Sequence, residues 1–206
     1  MTTAEETRHA LVHRAFLLSL ISIGLSGLLG GFAVVVGLAT NSLSLLGFGF
    51  DAAIDSVASI VLAWRFSTEK RAPDKTERVE RIAEIAVGWV LLFLAAYLGI
   101  NAVIALANGA SPEVTPVGIG ISIVSLVVLP PLAIAKYRTA KALGSGALRA
   151  DSVLTGVAAA LALISLVSLA LTELFHLPAA DAVGALIVSV VLLREGFYSV
   201  RQAPIH

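Results

Sequence analysis

Six apolar runs dominate the sequence, at roughly 15–38, 43–64, 83–107, 114–135, 148–172 and 179–198. Each reaches the length of about 20 residues that a helix needs to cross a bilayer. Lipid offers no partner to a backbone N–H or C=O, so segments this apolar must close their hydrogen bonds internally, as helices. The expected fold is an all-α membrane protein of six transmembrane helices. It forms a single transmembrane domain over residues 1–206, with no soluble domain. Composition agrees. The chain is 58% hydrophobic and only 14% charged, where soluble domains carry about a quarter charged residues.

The charges orient the spans. All fourteen Lys and Arg lie before span 1, around the ends joining spans 2 to 3 and 4 to 5, or at the end of span 6. The opposite connections, "LATNSLS", "NGASPEVTP" and "ELFHLPAAD", carry none. By the positive-inside rule both termini are expected in the cytoplasm, with the chain a multi-pass protein of the cell (inner) membrane. Net charge is zero, which gives no reason to expect nucleic acid. Cysteine is absent, which excludes disulfides, thiolate metal sites and cysteine nucleophiles. The opening "MTTAEETRHALVHRAF" is too polar for a signal peptide.

Against this background "GFGFDAAIDSVASIVLAWRF", residues 47–66, is anomalous. Asp51 lies about 12 Å below the outer surface at 1.5 Å per residue, and Asp55 about 6 Å deeper. Their i, i+4 spacing puts both on one helix face. An ionised Asp near the midplane costs about 2.5–3.5 kcal/mol on insertion scales. A second adds its own cost and the repulsion between like charges. A bridging divalent cation removes that cost, and so does the uptake of protons. Such a pair suits an antiporter.

The same residues carry a resemblance. "SLSLLGFGFDAAIDSVAS" resembles the second span of the cation diffusion facilitator family, with Ser42, Ser44, Leu46, Asp51, Asp55 and Ser59 in step. "ALRADSV" (147–153) is similar to that family's opening of span 5, and "PAADAVGALIVSVVLLREG" (178–196) to its span 6. The resemblance implies that Asp51 and Asp55 bind the transported metal, with Zn²⁺ as the default ion. Two departures stand out. Where the family places a His and a second ligand in span 5, this chain has Leu154 and Ala158. The family's cytoplasmic C-terminal domain is also expected to be missing. Both features look like a compact six-helix branch.

Asp151 and Thr155, again i, i+4, are the candidate replacement ligands, completing or gating the site from the cytoplasmic side. Asp151 also reads as a helix N-terminal carboxylate paired with Arg149 or Arg81. Glu84 opens span 3 and matches a recurrent acid of the family, which suggests a role in cation access from the cytoplasm. With no imidazole or thiolate in this set, the remaining oxygen donors suit Mn²⁺ or another hard cation better than Zn²⁺.

Other residues have plainer readings. His9 and His13 belong to an amphipathic interfacial stretch, and His176 to an outer loop. Gly24, Gly27 and Gly31 form a face for close helix packing. Asn101 reads as an interhelical hydrogen bond. Pro130 and Pro131 kink span 4 or end its regular part. "TEKRAPDKTERVER" reads as a solvated loop. No nucleotide loop or nucleophile–base pair is present, so neither an enzyme nor an ATP-driven pump is indicated.

The expected function is divalent metal cation transport, as proton-coupled efflux by alternating access around a midplane site. No prosthetic group is expected beyond the transported ion. The implied partners are the bilayer, divalent metal ions and protons, with a homodimer as a compatible assembly. The loss of span 5 ligands favours one alternative, a non-transporting membrane partner or regulator built on a relic transporter fold. A carrier of organic cations is disfavoured by the scarcity of aromatics, two Trp and three Tyr.

Overall fold

The computed structural model describes residues 3–40, 43–109, 115–175, 177 and 179–202. Ser42 of the span 2 motif and His176 lie outside the described residues. Six helices follow one another: α1 (Thr3–Thr40), α2 (Leu43–Arg71), α3 (Thr76–Asn108), α4 (Pro116–Leu143), α5 (Gly146–Phe175) and α6 (Ala180–Gln202). All six are long and apolar enough to cross a membrane. No strand occurs among the described residues.

The helices are longer than the apolar runs, and most of the excess lies at the end of the bundle that carries the Lys and Arg residues. The stretch expected as a solvated loop is mostly helical there. α2 continues to Arg71, a single 3₁₀ turn covers Pro73–Lys75, and α3 begins at Thr76. Likewise α4 continues to Leu143, and the chain turns at Gly144, whose φ of 67° is left-handed. Glycine adopts that conformation without a Cβ clash. At the opposite end Pro116 sits at the start of α4, and the Thr115 hydroxyl caps it by accepting from the Gly118 N–H at 3.0 Å. Pro130 and Pro131 do not end α4, which runs through both.

The helices associate chiefly as three pairs: α1 with α2, α3 with α6, and α4 with α5. α5 also touches α2, α3 and α6. The main core joins Ile54 and Ala58 of α2 to Leu91 and Leu94 of α3, Leu154 of α5 and Leu192 of α6. A second core nearer the basic end joins Val12, Phe66, Ala83, Ala140 and Leu148. The outward faces are apolar, with Leu28, Val35 and Val127 more than two-thirds exposed. Hydrocarbon is the solvent that such faces match. The protein is a multi-pass integral membrane protein.

Close packing of α1 on α2 uses other glycines than the expected ones. Nothing lies within 4 Å of where a Cβ would stand at Gly24, Gly27 or Gly31. The tight contact is made by Gly30 and Gly49. A Cβ on Gly30 would strike Ala52, and one on Gly49 would strike Val34 and approach the Gly30 carbonyl. This crossing lies on the α2 turn that precedes Asp51, so it fixes how the acidic face is presented. Gly49→Ala should therefore destabilise the protein by about 1–3 kcal/mol through overpacking. Gly27→Ala should cost nothing. Thermal unfolding in detergent compares the two.

Candidate functional site

A cavity of about 460 Å³ enters the bundle from the end that lacks basic residues. Gly47, Phe48, Thr115, Gly118 and Asp181, from the first turns of α2, α4 and α6, line its outer part. Asp51, Asp55, Leu154, Thr155 and Ala158 line it deeper in. The helical register of α2 thus turns both of its acids inward to one space, as i, i+4 spacing requires. Leu154 and Ala158, where the family resemblance puts span 5 ligands, line the same space.

The oxygens of this cavity are incompletely satisfied. Ser26 of α1 donates to Asp55 Oδ2 at 2.5 Å. Asp55 Oδ1, Asp51 Oδ1 and the Ser125 hydroxyl are buried without a hydrogen-bond partner. A buried polar atom without a partner costs about 1–3 kcal/mol, and more when charged. Three such oxygens on one cavity mark where a ligand would be held. Among the described residues no Lys or Arg lines the cavity. Around its walls Phe50 packs on Tyr97 at 5.1 Å and on Phe93 at 6.5 Å between ring centroids, which locks α2 against α3.

Asp151 and Thr155 have a different environment. Lys136, near the middle of the basic half of α4, is fully buried, and its Nζ lies 2.6 Å from Asp151 Oδ2. The same Nζ donates to Thr155 Oγ1 at 2.8 Å. Ser59, one turn below Asp55, donates to Asp151 Oδ1 at 3.4 Å. The expected pairing of Asp151 with Arg149 or Arg81 is replaced by this bond to Lys136. Arg149 pairs instead with Glu195 at 2.7 Å and lies over the Tyr198 ring. The two i, i+4 pairs do not merge into one ligand cluster. Among the described residues no three His, Cys, Asp or Glu side chains come together as a metal site.

Below Lys136 an ion-pair network closes the basic end. Arg65 of α2, almost fully buried, bonds Glu69 at 2.7 Å and also Glu80 of α3. Arg8 of α1 reaches Glu69 at 2.7 Å. Glu80 accepts from the Ser145 hydroxyl at 2.8 Å and from the Ala147 N–H at 3.1 Å, which caps the start of α5. Ion pairs thereby tie α1, α2 and α3 together, and hydrogen bonds to Glu80 add the start of α5. Glu84, one turn above Glu80, does not line the cavity. Its carboxylate fills the space beside Gly146, where any side chain would collide with it.

Sequence reasoning passed over Ser26, Ser125 and Lys136. Lys136 could have been found as the first charge directly after the apolar "LPPLAIA", on a helix with no other reason to stop. The remaining polar residues are local. Asn101 donates to the carbonyl of Tyr97 in its own helix at 2.7 Å, not across helices. His13 contacts Lys70 at 3.0 Å, and His9 is exposed.

Comparison with known proteins fits this geometry. A model of the cation efflux transmembrane domain matches residues 19–203, from mid-α1 through α6. The chain belongs to this family. The resemblance carried by the span 2, 5 and 6 motifs is thereby borne out. Over 175 residues the chain is also 27% identical to an uncharacterized transporter of Methanocaldococcus jannaschii, covering 82% of this chain. It covers 62% of that relative's length, less than two-thirds. Within the cation efflux domain, the Asp51–Asp55 cavity and the charged seal beneath it are separate structures. The seal has its own test. Arg65→Met leaves Glu69 and Glu80 without their buried partner and should cost about 3–5 kcal/mol. Arg8→Ala removes a half-exposed partner and should cost about 0–1 kcal/mol. Denaturant titration of the two variants in detergent distinguishes them.

Proposed function

We propose that this protein transports a divalent metal cation out of the cytoplasm in exchange for protons, by alternating access around Asp51 and Asp55. The observation that supports this most is the pair of unpartnered carboxylate oxygens, Asp51 Oδ1 and Asp55 Oδ1, on one cavity that no basic side chain enters. The Ser26 and Ser125 hydroxyls stand by as neutral oxygen donors. The positive-inside rule puts the basic end in the cytoplasm, so the cavity faces outward and the ion-pair network forms the closed inner gate. Asp151 and Thr155, with Lys136, belong to that gate. Glu84 lies within that gate, one turn above Glu80 and beside Gly146, where it would meet cations when the gate opens.

Proton exchange follows from cost. Two ionised carboxylates left empty in an apolar bundle are expensive, and neutralisation by protons removes the expense. The carrier therefore returns protonated after it releases metal. An all-oxygen donor set suits Mn²⁺ or a similarly hard ion, while family membership favours Zn²⁺.

Uptake into liposomes of purified protein tests the reading. Asp51→Asn and Asp55→Asn should each abolish Mn²⁺ and Zn²⁺ flux and leave the protein folded, because each substitution removes a buried charge. Metal flux in the wild type should acidify or alkalinise the lumen opposite to the metal movement. A flux indifferent to collapse of the pH gradient would mean uniport. Absence of flux in the wild type would instead support the non-transporting regulator.

The donor set gives a further expectation. Leu154→His puts an imidazole on the wall of the same cavity and should raise Zn²⁺ affinity more than Mn²⁺ affinity, as isothermal calorimetry would show. Tight Zn²⁺-selective binding by the wild type, unchanged in this variant, would mean that a ligand other than these oxygens holds the ion.

A further inference from the structure

The function proposed above leaves a fully buried ammonium to explain. Lys136 lies within electrostatic reach of Asp55, as does Asp151. It stands behind Thr155, which lines the cavity, while Lys136 and Asp151 do not. Two of the four expected ligands, Asp151 and Thr155, are bonded to it at 2.6 and 2.8 Å.

We propose that Lys136 is a tethered cation that determines specificity: it holds Asp151 and Thr155 out of the ligand set and fixes the charge of the site at two. This rests on the transport reading of Asp51 and Asp55. Around the inner part of the cavity, away from Asp181 at its outer end, stand three carboxylates, Asp51, Asp55 and Asp151, and one ammonium, Lys136. Together they leave two negative charges, which one divalent cation or two protons neutralise. Without Lys136 an uncompensated third carboxylate, Asp151, would stand behind the cavity wall about one helical turn below the first pair. A site of that charge binds cations more tightly, favours higher valence and releases its ion more slowly. Lys136 therefore keeps the site weak enough for turnover. A neutral residue in its place would not.

Other groups do not supply this charge. Arg65 is committed to Glu69 and Glu80, and Arg149 to Glu195. The Ser59 hydroxyl is the other side chain bonded to Asp151, and it is neutral.

The test compares three proteins in detergent and in liposomes: wild type, Lys136→Met, and Lys136→Met with Asp151→Asn. Mn²⁺ affinity is read by calorimetry, Tb³⁺ affinity by luminescence, and transport by Mn²⁺ uptake. Lys136→Met should bind Mn²⁺ at least about tenfold more tightly, because a unit of positive charge that repels the ion is removed. Its gain for Tb³⁺ should be larger, and its Mn²⁺ turnover should fall. Adding Asp151→Asn should reverse the affinity gain for both ions. A structural role for Lys136 would not separate the two valences. Unchanged Mn²⁺ and Tb³⁺ affinity in folded Lys136→Met would overturn the proposal. So would a double variant that binds Mn²⁺ tenfold or more weakly than wild type, because Asp151 would then be a ligand. If the single variant does not fold, the double variant, which removes both buried charges, keeps the proposal falsifiable, because Mn²⁺ affinity tenfold or more below wild type overturns it. Wild-type protein that neither binds nor moves Mn²⁺ or Zn²⁺ would remove the transport reading itself, and this proposal with it.

Discussion

The cost of placing charge in an apolar bundle governs this structure. Each ionisable group that enters the membrane must be neutralised by a partner or must face a space where a partner can arrive. Most of the buried groups take the first course. Lys136 and Asp151, both without solvent exposure, neutralise each other, and Arg65 is divided between two glutamates. Asp51 and Asp55 take the second course. Each keeps one buried oxygen free, and both line the same cavity. The difference between satisfied and unsatisfied charge separates scaffold from candidate site here, since both groups are equally out of place in lipid.

Hydropathy and charge distribution made the six helices and their common basic end legible. Helix formation in lipid is forced by backbone desolvation and needs no tertiary information. The inward position of Asp51 and Asp55 was legible for the same reason, because a carboxylate of that depth has nowhere else to point. What was not legible depends on contacts between helices. Lys136 and Asp151 meet across the α4–α5 hairpin, and the bond exists only because α4 stays helical beyond its apolar run, as far as Leu143. An apolar window ends a span at its first charge. It therefore filed Lys136 with the solvated residues. The glycines show the same limit. Gly24, Gly27 and Gly31 have the spacing of a packing face, but the neighbour that chooses the face is α2, which meets Gly30.

The polar stretch between α2 and α3 misled for a related reason. Its charges read as loop because single charges favour water. In the structure Glu69 and Glu80 belong to helical extensions that project past the apolar runs and grip Arg65 between them. Composition shows how much charge a segment carries, but not whether opposite charges will find each other. Ser145 and the Ala147 N–H complete the grip from α5. The turn after α4 is thereby part of the same seal.

The two ends of the bundle are built from different interactions, and under the proposed cycle that difference has a use. The outer half of α2 meets α1 through backbone-level contacts at Gly30 and Gly49, where little can give without a clash. The basic end is held by ion pairs. A buried ion pair gains Coulomb energy at roughly the cost of desolvating its members, so its net contribution lies close to zero. Exchanging Arg65–Glu69 and Arg65–Glu80 for separate hydration at the membrane surface is then a step of small free energy, provided that both partners reach water together. Apolar packing has no such compensation, because water returns nothing for an exposed Leu or Val. A gate built from charge can open at little cost while the packed outer crossing keeps its geometry. The small difference left over is of a size that binding one cation at Asp51 and Asp55 can tip.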